Sequence, residues 1–229
     1  GDGGSKSGTL TLGWTNPEDY LYARSLDLNS ITFANGKQFV LDGTQTIATA
    51  GNIAGKKIVP YEAVGVLPGN GTAGNPFTIS SAAEWNVFTK SVCFGNSYSG
   101  QYVKLTADIS VNQTCGYVTG NTPSKAFCGT FLGEGHTITA SINGMKNQGT
   151  ALFCYINGAT IKNLTVAGTI IGNQKHSAGL VGFASGTNLI EGCTVTATLH
   201  IRSDYAGGIV GHGLESATTI RNSLFAGTV

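Results

Sequence analysis

The sequence predicts an all-β protein whose main part is a parallel β-helix, because a short segment recurs at a fixed spacing and alternates apolar with polar residues. Three segments align without gaps: 160–170 (TIKNLTVAGTI), 189–199 (LIEGCTVTATL) and 219–229 (TIRNSLFAGTV). Their shared isoleucine recurs after 29 and then 30 residues. A repeat of this length is typical of a solenoid, in which each unit stacks on the next.

Each segment is the second half of a longer unit. It is preceded by a second match, which begins at positions 151, 179 and 208 (ALFCYINGA, GLVGFASGT, GIVGHGLES). Within the unit, apolar residues such as Leu164 and Val166 alternate with polar ones, as in a strand with one buried face. One unit cannot bury that face alone, whereas units stacked at ~4.8 Å share a continuous core.

Stacking predicts columns of equivalent residues. The expected columns are Ile161–Ile190–Ile220, Leu164–Cys193–Ser223, Val166–Val195–Phe225 and, facing outward, Lys162–Glu191–Arg221. The outward column alternates in charge, which favours this register over a slip that brings like charges together, although exposed pairs are each worth only ~0 to 1 kcal/mol. A ligand-binding role for the charged column is the alternative.

A capping helix is predicted over residues 81–92 (SAAEWNVFTKSV). Ser81 and Glu84 have the spacing of a capping box, and Trp85, Phe88 and Val92 share one face. The helix would cover the open N-terminal end of the stack, with 102–111 as the first coil strand and 129–142 as a diverged coil. His136, beside a turn of that coil, is interpreted as a turn residue, since no carboxylate or nucleophile has a defined relation to it.

The remainder of the chain differs in pattern. Residues 1–65 predict a small β-rich domain or subdomain, with strands at 30–34, 38–41 and 57–59 and a hairpin turn at Asn35-Gly36. The Gly-, Asn- and Pro-rich stretch 66–76 is the expected linker, and 77–229 the β-helix.

Composition limits the partners. Of the 229 residues, 41% are hydrophobic and 11% charged, with a formal net charge of +1, so the chain is expected to fold. Lysines and arginines form no basic stripe, which disfavours nucleic acid. No apolar run approaches the ~20 residues of a membrane span. The opening GDGGSKSG reads either as a flexible tether behind a lipid anchor or as a remnant of protein production.

Cysteine and histidine spacing predicts neither a metal site nor a cofactor. No CxxC occurs, and the four histidines are separated from the cysteines. Five cysteines leave at least one unpaired thiol. Cys115 and Cys128 bracket a loop that a disulfide could close in an oxidising compartment, and the sequence leaves this open.

Several motifs resemble the GLUG repeat and its leader. These are GLVG at 179 with IEGCTV at 190, GGIVG at 207 with TIRNS at 219, and the leader segments GNGTAGNPFTISSAAEWNVF, YSGQYVKLTADISV and GTFLGEGHTI. The resemblance, over 69–229, implies a right-handed β-helix, export to the cell surface or outer membrane of gut Bacteroidetes, often as a lipoprotein, and an adhesin-like role. It offers no catalytic residues, and Leu132 and Glu134 depart from the leader pattern. The HExxH zinc motif of related proteases is absent.

Together these observations predict a non-enzymatic adhesion or binding module whose turns contact a host or bacterial surface glycan or protein. Aromatic residues near turns are the candidate ligand contacts: Tyr98, Tyr117 and Tyr205. One alternative is a carbohydrate-active enzyme, a lyase or hydrolase, for which Asp204 and Glu215 would have to converge. Another is a structural spacer or assembly unit that self-associates through the open C-terminal β-edge.

Overall fold

The structure is a computed structural model that describes residues 10–12, 21–22, 31–33, 38–60, 65–119, 122–144, 148–202 and 204–229. The chain divides into two compact units. The first comprises Gly1–Val66 and Phe94–Asn96, and the second Leu67–Cys93 and Ser97–Val229. The second unit therefore includes nearly all of the predicted linker.

The described residues of the first unit form the short strands β1 (Leu10–Leu12), β2 (Leu21–Tyr22), β3 (Ile31–Phe33), β4 (Phe39–Leu41) and β5 (Lys57–Pro60). β1 pairs with β3 in parallel, while β5 lies between β2 and β4 and is antiparallel to both. Val40 and Val59 are buried, and Ile47 packs against them. The strand predicted at 57–59 is confirmed, whereas the Asn35-Gly36 turn lies outside the described residues.

The second unit is a parallel β-solenoid of about five turns, which confirms the predicted fold class. Its strands are β6 (Phe77–Ile79), β7 (Tyr102–Leu105), β8 (Ile109–Val111), β9 (Tyr117–Thr119), β10 (Thr122–Lys125), β11 (Thr130–Leu132), β12 (Thr137–Asn143), β13 (Phe153–Asn157), β14 (Thr160–Lys162), β15 (Thr165–Gly172), β16 (Ser177–Ala178), β17 (Val181–Glu191), β18 (Thr194–Val195), β19 (Thr198–Ile201), β20 (Ala206–Gly207), β21 (Val210–Arg221) and β22 (Leu224–Phe225).

Parallel pairing arranges these strands in two long sheets. The first has the order β13-β17-β14-β11-β7-β6, with β21 also paired to β17, and the second has the order β22-β18-β15-β12-β8, with β19 on β15. The short strands β16 and β20 pair with each other at a corner, and β9 and β10 form an antiparallel hairpin. Successive turns of the chain therefore add one strand to each face.

The strand register confirms the predicted isoleucine column. Ile161 lies opposite Ile190, and Ile190 lies opposite Ile220. Ile161 and Ile190 are fully buried, while Ile220 is 44% exposed because no described strand covers β21 on its outer side. The strand register also confirms the predicted column of Val166, Val195 and Phe225.

A left-handed turn residue closes the same position of three successive coils. Asn163, Gly192 and Asn222 have φ angles of 51°, 65° and 49°. The Cβ of most residues crowds the following carbonyl in this conformation, whereas glycine has no Cβ and the short polar side chain of asparagine can hydrogen-bond locally. The repeated IxN or IxG pattern therefore sets the corner between the two sheets.

The helix α1 (Ala82–Cys93) caps the stack as predicted. The Glu84 amide donates to Ser81 Oγ at 3.2 Å, and the Glu84 carboxylate accepts from the Ser80 amide at 2.6 Å. The helix contacts β6 and β8, which are the terminal strands of the two long sheets. Trp85 and Phe88 are fully buried in the core beneath it.

The stack begins one strand earlier than the sequence indicated. Residues 102–111 are not its first strand, because β6 pairs with β7 through Phe77 and Val103. This strand is difficult to recognise in the sequence because it directly follows a polar, turn-rich segment. The Thr78 amide donates a hydrogen bond to the Pro68 carbonyl, and the Tyr102 amide donates to the Gly71 carbonyl. The stretch 67–76 is thus an ordered part of the first coil.

Candidate functional site

The structure separates the three tyrosines that the sequence nominated as ligand contacts. Tyr205 is 49% exposed. Tyr98 is 1% exposed, its hydroxyl lies 2.6 Å from Ser91 Oγ, and its ring packs on Phe88. The ring of Tyr98 therefore has no face open to a ligand. Tyr117 lies in β9, and its side chain is outside the described residues.

Tyr205 occupies a corner position shared by two successive coils. β16 and β20 pair with Ser177 opposite Ala206, so His176 in one coil corresponds to Tyr205 in the next. Both have left-handed backbones, with φ of 67° and 59°. The Ser177 amide donates to the Tyr205 carbonyl at 3.1 Å. The sequence thus places two flat side chains one above the other.

A second column of rings runs beside this corner. Strand pairing sets Tyr155 opposite Phe183, and Phe183 opposite His212. Tyr155 and Phe183 meet edge to face at 5.4 Å between ring centroids, and Phe183 and His212 do so at 5.1 Å. The Tyr155 hydroxyl lies 2.8 Å from Ser185 Oγ, so this end of the column is tied to the neighbouring coil.

The two columns meet and form one cluster, called here the ring cluster: Tyr155, His176, Phe183, Tyr205 and His212. The His176 and His212 planes differ by 8°, and their Nδ1 atoms are 2.9 Å apart. Tyr205 stacks on both imidazoles, at 4.1 Å from His212 and 5.2 Å from His176. Phe183 meets the His176 ring edge-on at 5.0 Å. The exposed phenol therefore rests on a packed support.

Burial keeps the His176 imidazole uncharged at neutral pH. Burial, helped by the neighbouring His212 and by Lys175, lowers the pKa of His176 from 6.5 to about 4. A hydrogen bond between two neutral imidazoles needs one ring to donate from Nδ1 and the other to accept there. The pair thus holds one acceptor nitrogen and one donor nitrogen between two coils.

Sequence reasoning missed the ring cluster. Of the members of this cluster, the sequence nominated only Tyr205 as a ligand contact, and it assigned no role to His176 or His212. One signal was available, because positions 176 and 205, like positions 183 and 212, are 29 residues apart. The contact between the two columns has no such signal, since it joins residues from different parts of the coil.

His136 has a carboxylate partner, which corrects the sequence interpretation. Its Nδ1 lies 3.0 Å from Asp108 Oδ1, and the same oxygen accepts from the Thr137 amide at 2.9 Å. The hydrogen bond from the Thr137 amide contributes most to lowering the pKa of Asp108, and the hydrogen bond with His136 lowers it further. The Asp108 side chain is 71% exposed, so the pair ties two neighbouring coils together at the surface.

The charged column is confirmed as a set of ion pairs. Glu191 lies 3.1 Å from Lys162 Nζ and 2.7 Å from Arg221 Nε. The hydrogen bond with Arg221 contributes most to lowering the pKa of Glu191, and the one with Lys162 lowers it further. Glu191 is therefore engaged in ion pairs with Lys162 and Arg221.

Asp204 and Glu215, the two acids considered as catalytic residues, are both exposed.

The disulfide considered between Cys115 and Cys128 is not formed in the structure. Cys115 is fully buried, and burial raises the pKa of its thiol. Within the described residues, no group of three or more histidine, cysteine or acidic side chains could hold a metal ion.

The chain is similar in sequence to a small part of one much larger protein. No family model and no solved structure matches the chain. It is 30% identical to halomucin of Haloquadratum walsbyi over 161 residues, which are 66% of this chain and 2% of halomucin. The chain thus spans about 2% of that relative's length. In the part of the chain that the structure describes, no helix is long and apolar enough to cross a membrane.

Proposed function

We propose that this protein is an exported, surface-associated binding module, in which the solenoid holds Tyr205 as a contact for a surface glycan. The exposed Tyr205 ring on its imidazole support carries the proposal. Halomucin is a surface protein, and the similarity to it supports the surface location. Resemblance to GLUG-repeat lipoproteins supports the finer proposal of a lipid anchor on an outer membrane.

The geometry of Tyr205 suits a stacking contact. A sugar presents a face of C–H groups that packs on a flat aromatic ring, and the phenol hydroxyl can bond to a sugar hydroxyl. Binding usually costs about 0.5–1.5 kcal/mol for each side chain that it immobilises. His176 and His212 already contact this ring, so less of that cost remains.

A glycan array and an extracellular-matrix protein array test the proposal, with Tyr205→Ala, Tyr205→Phe and Leu224→Ala beside the wild type. Leu224 is the control, because it is 56% exposed but outside the ring cluster. We expect selective glycan binding that weakens about tenfold in Tyr205→Ala, as for a central contact residue. Tyr205→Phe should keep most of it, and Leu224→Ala all of it.

Other outcomes identify the rival functions. Binding to a matrix protein but to no glycan would make the ligand a protein. Turnover of a polysaccharide, lost in Asp204→Asn or Glu215→Gln, would replace the binding module with an enzyme. Glycan binding that is unchanged in Tyr205→Ala would remove the ring cluster as the contact site.

A structural assembly unit is the second candidate, favoured by the last described coil. Ile220 and Leu224 are apolar and 44% and 56% exposed, and the outer edges of β21 and β22 have no described partner strand. Analytical ultracentrifugation tests this candidate. Reversible association that Leu224→Lys abolishes would support it, and a monomer at all concentrations would count against it.

A further inference from the structure

Two ring nitrogens are in contact inside the ring cluster. His176 Nδ1 and His212 Nδ1 are 2.9 Å apart, and their ring planes differ by 8°. His176 comes from the corner before β16, and His212 from β21, so separate strands of the solenoid set this distance. Phe183 contacts both rings, and Tyr205 covers both.

We propose that His176 and His212 bind a divalent transition-metal ion of the Cu²⁺ or Ni²⁺ type through their Nδ1 atoms. Imidazole nitrogen is a preferred ligand for these ions. Two nitrogens at about 2.0 Å from a metal are about 2.8 Å apart at a 90° angle and about 3.3 Å apart at the tetrahedral angle. The observed 2.9 Å shows that the two strands already hold the nitrogens at about the separation of two ligands of one ion.

Binding by two neutral rings needs a change of tautomer in one of them. The imidazole that donates from Nδ1 moves its proton to Nε2, and each ring turns so that the two lone pairs converge on the ion.

The surroundings leave the other coordination positions to small molecules. In the described ranges no third histidine, cysteine or carboxylate completes a metal group with this pair. His212 is half-buried and Tyr205 exposed, so water or a ligand atom can reach the ion. The nearby charges of Lys175 and Asp204 are both exposed and opposite in sign, so their effects on a bound cation largely offset.

Calorimetric titration of the tag-free chain with CuCl₂, NiCl₂ and ZnCl₂, without any glycan, tests the site. The matched variants are His212→Gln and His200→Gln, since His200 is an exposed histidine of β19 outside the ring cluster. We expect one Cu²⁺ per chain, binding more tightly than Zn²⁺. His212→Gln should weaken Cu²⁺ by at least about 10–100-fold, the loss seen even for residues that only support a metal ligand. His200→Gln should leave it unchanged.

Electron paramagnetic resonance of the Cu²⁺ form provides an independent reading. Two coordinated imidazole nitrogens should appear in the wild type and one or none in His212→Gln. Unchanged Cu²⁺ affinity in His212→Gln, equal losses in both variants, or no binding by the wild type would each overturn the proposal. Because no glycan is present, this test and that of Tyr205 can fail separately.

Discussion

Alanine substitutions along the isoleucine column should show how the burial of each isoleucine determines its contribution to stability. Ile190 is fully buried between Ile161 and Ile220. Ile190→Ala removes buried methyl and methylene groups and leaves a cavity, so it should destabilise the protein by about 2–5 kcal/mol. Ile220 has the same position in the coil but is 44% exposed. Since burying a whole side chain is worth about 1.5–3 kcal/mol, Ile220→Ala should cost only about 1–2 kcal/mol.

Urea unfolding followed by circular dichroism measures both costs. With a slope of about 3 kcal/mol per molar urea, Ile190→Ala should lower the unfolding midpoint by about 0.7–1.7 M, and Ile220→Ala by about 0.3–0.7 M. Ile161→Ala, in the other buried member of the column, should match Ile190→Ala. Equal midpoint shifts for Ile190→Ala and Ile220→Ala would refute the stacking order, and a shift near zero for Ile190→Ala would refute the column itself.

Three further predictions concern polar groups of the solenoid. Asn188→Ala should cost about 1–3 kcal/mol in urea unfolding, because this buried amide bonds to Thr218 and to backbone carbonyls; a loss below about 0.5 kcal/mol would contradict that role. Ser81→Ala should cost about 1 kcal/mol by removing the helix cap, and an unchanged midpoint would argue against the cap. Glu191→Gln should lower the melting temperature at pH 7. Its gap to the wild type should close as the pH falls below about 4. The lowered pKa of Glu191 means that the ion pair with Arg221 stabilises fully above the carboxyl's unfolded pKa, and that this stabilisation is lost as the pH falls through the folded pKa. A gap independent of pH would exclude the ion pair.

The repeat made much of the solenoid predictable from the sequence. A strand has a side-chain period of two, so a one-residue slip would turn the whole apolar set outward. The fixed position of the isoleucine in each unit therefore sets the register, and the Lys162–Glu191–Arg221 column follows from it. Ser81 and Glu84 similarly marked the helix start, because capping depends on local spacing.

Contacts outside the regular repeat could not be read in the same way. Asp108 and His136 meet at the edge of a diverged coil, where the three-segment alignment sets no register. Tyr98 lies near a turn in sequence, but its ring is drawn into the core by Phe77 and Phe88. The strand β6 is only three residues long, and its pairing depends on a distant partner. Each of these results from tertiary packing, which propensity and periodicity do not encode.

The columns of the solenoid also indicate where binding can arise. Most interior columns keep apolar residues, since every coil packs on the next at ~4.8 Å and a polar side chain without a partner would lose its hydration. The corner column and the strand column beside it are less constrained, and there the chain changes from His176 to Tyr205 and from Phe183 to His212. A polar ring can replace an apolar one there because solvent or a neighbouring ring satisfies it. Both proposed ligands therefore fall on the ring cluster, where two variable columns meet at the surface.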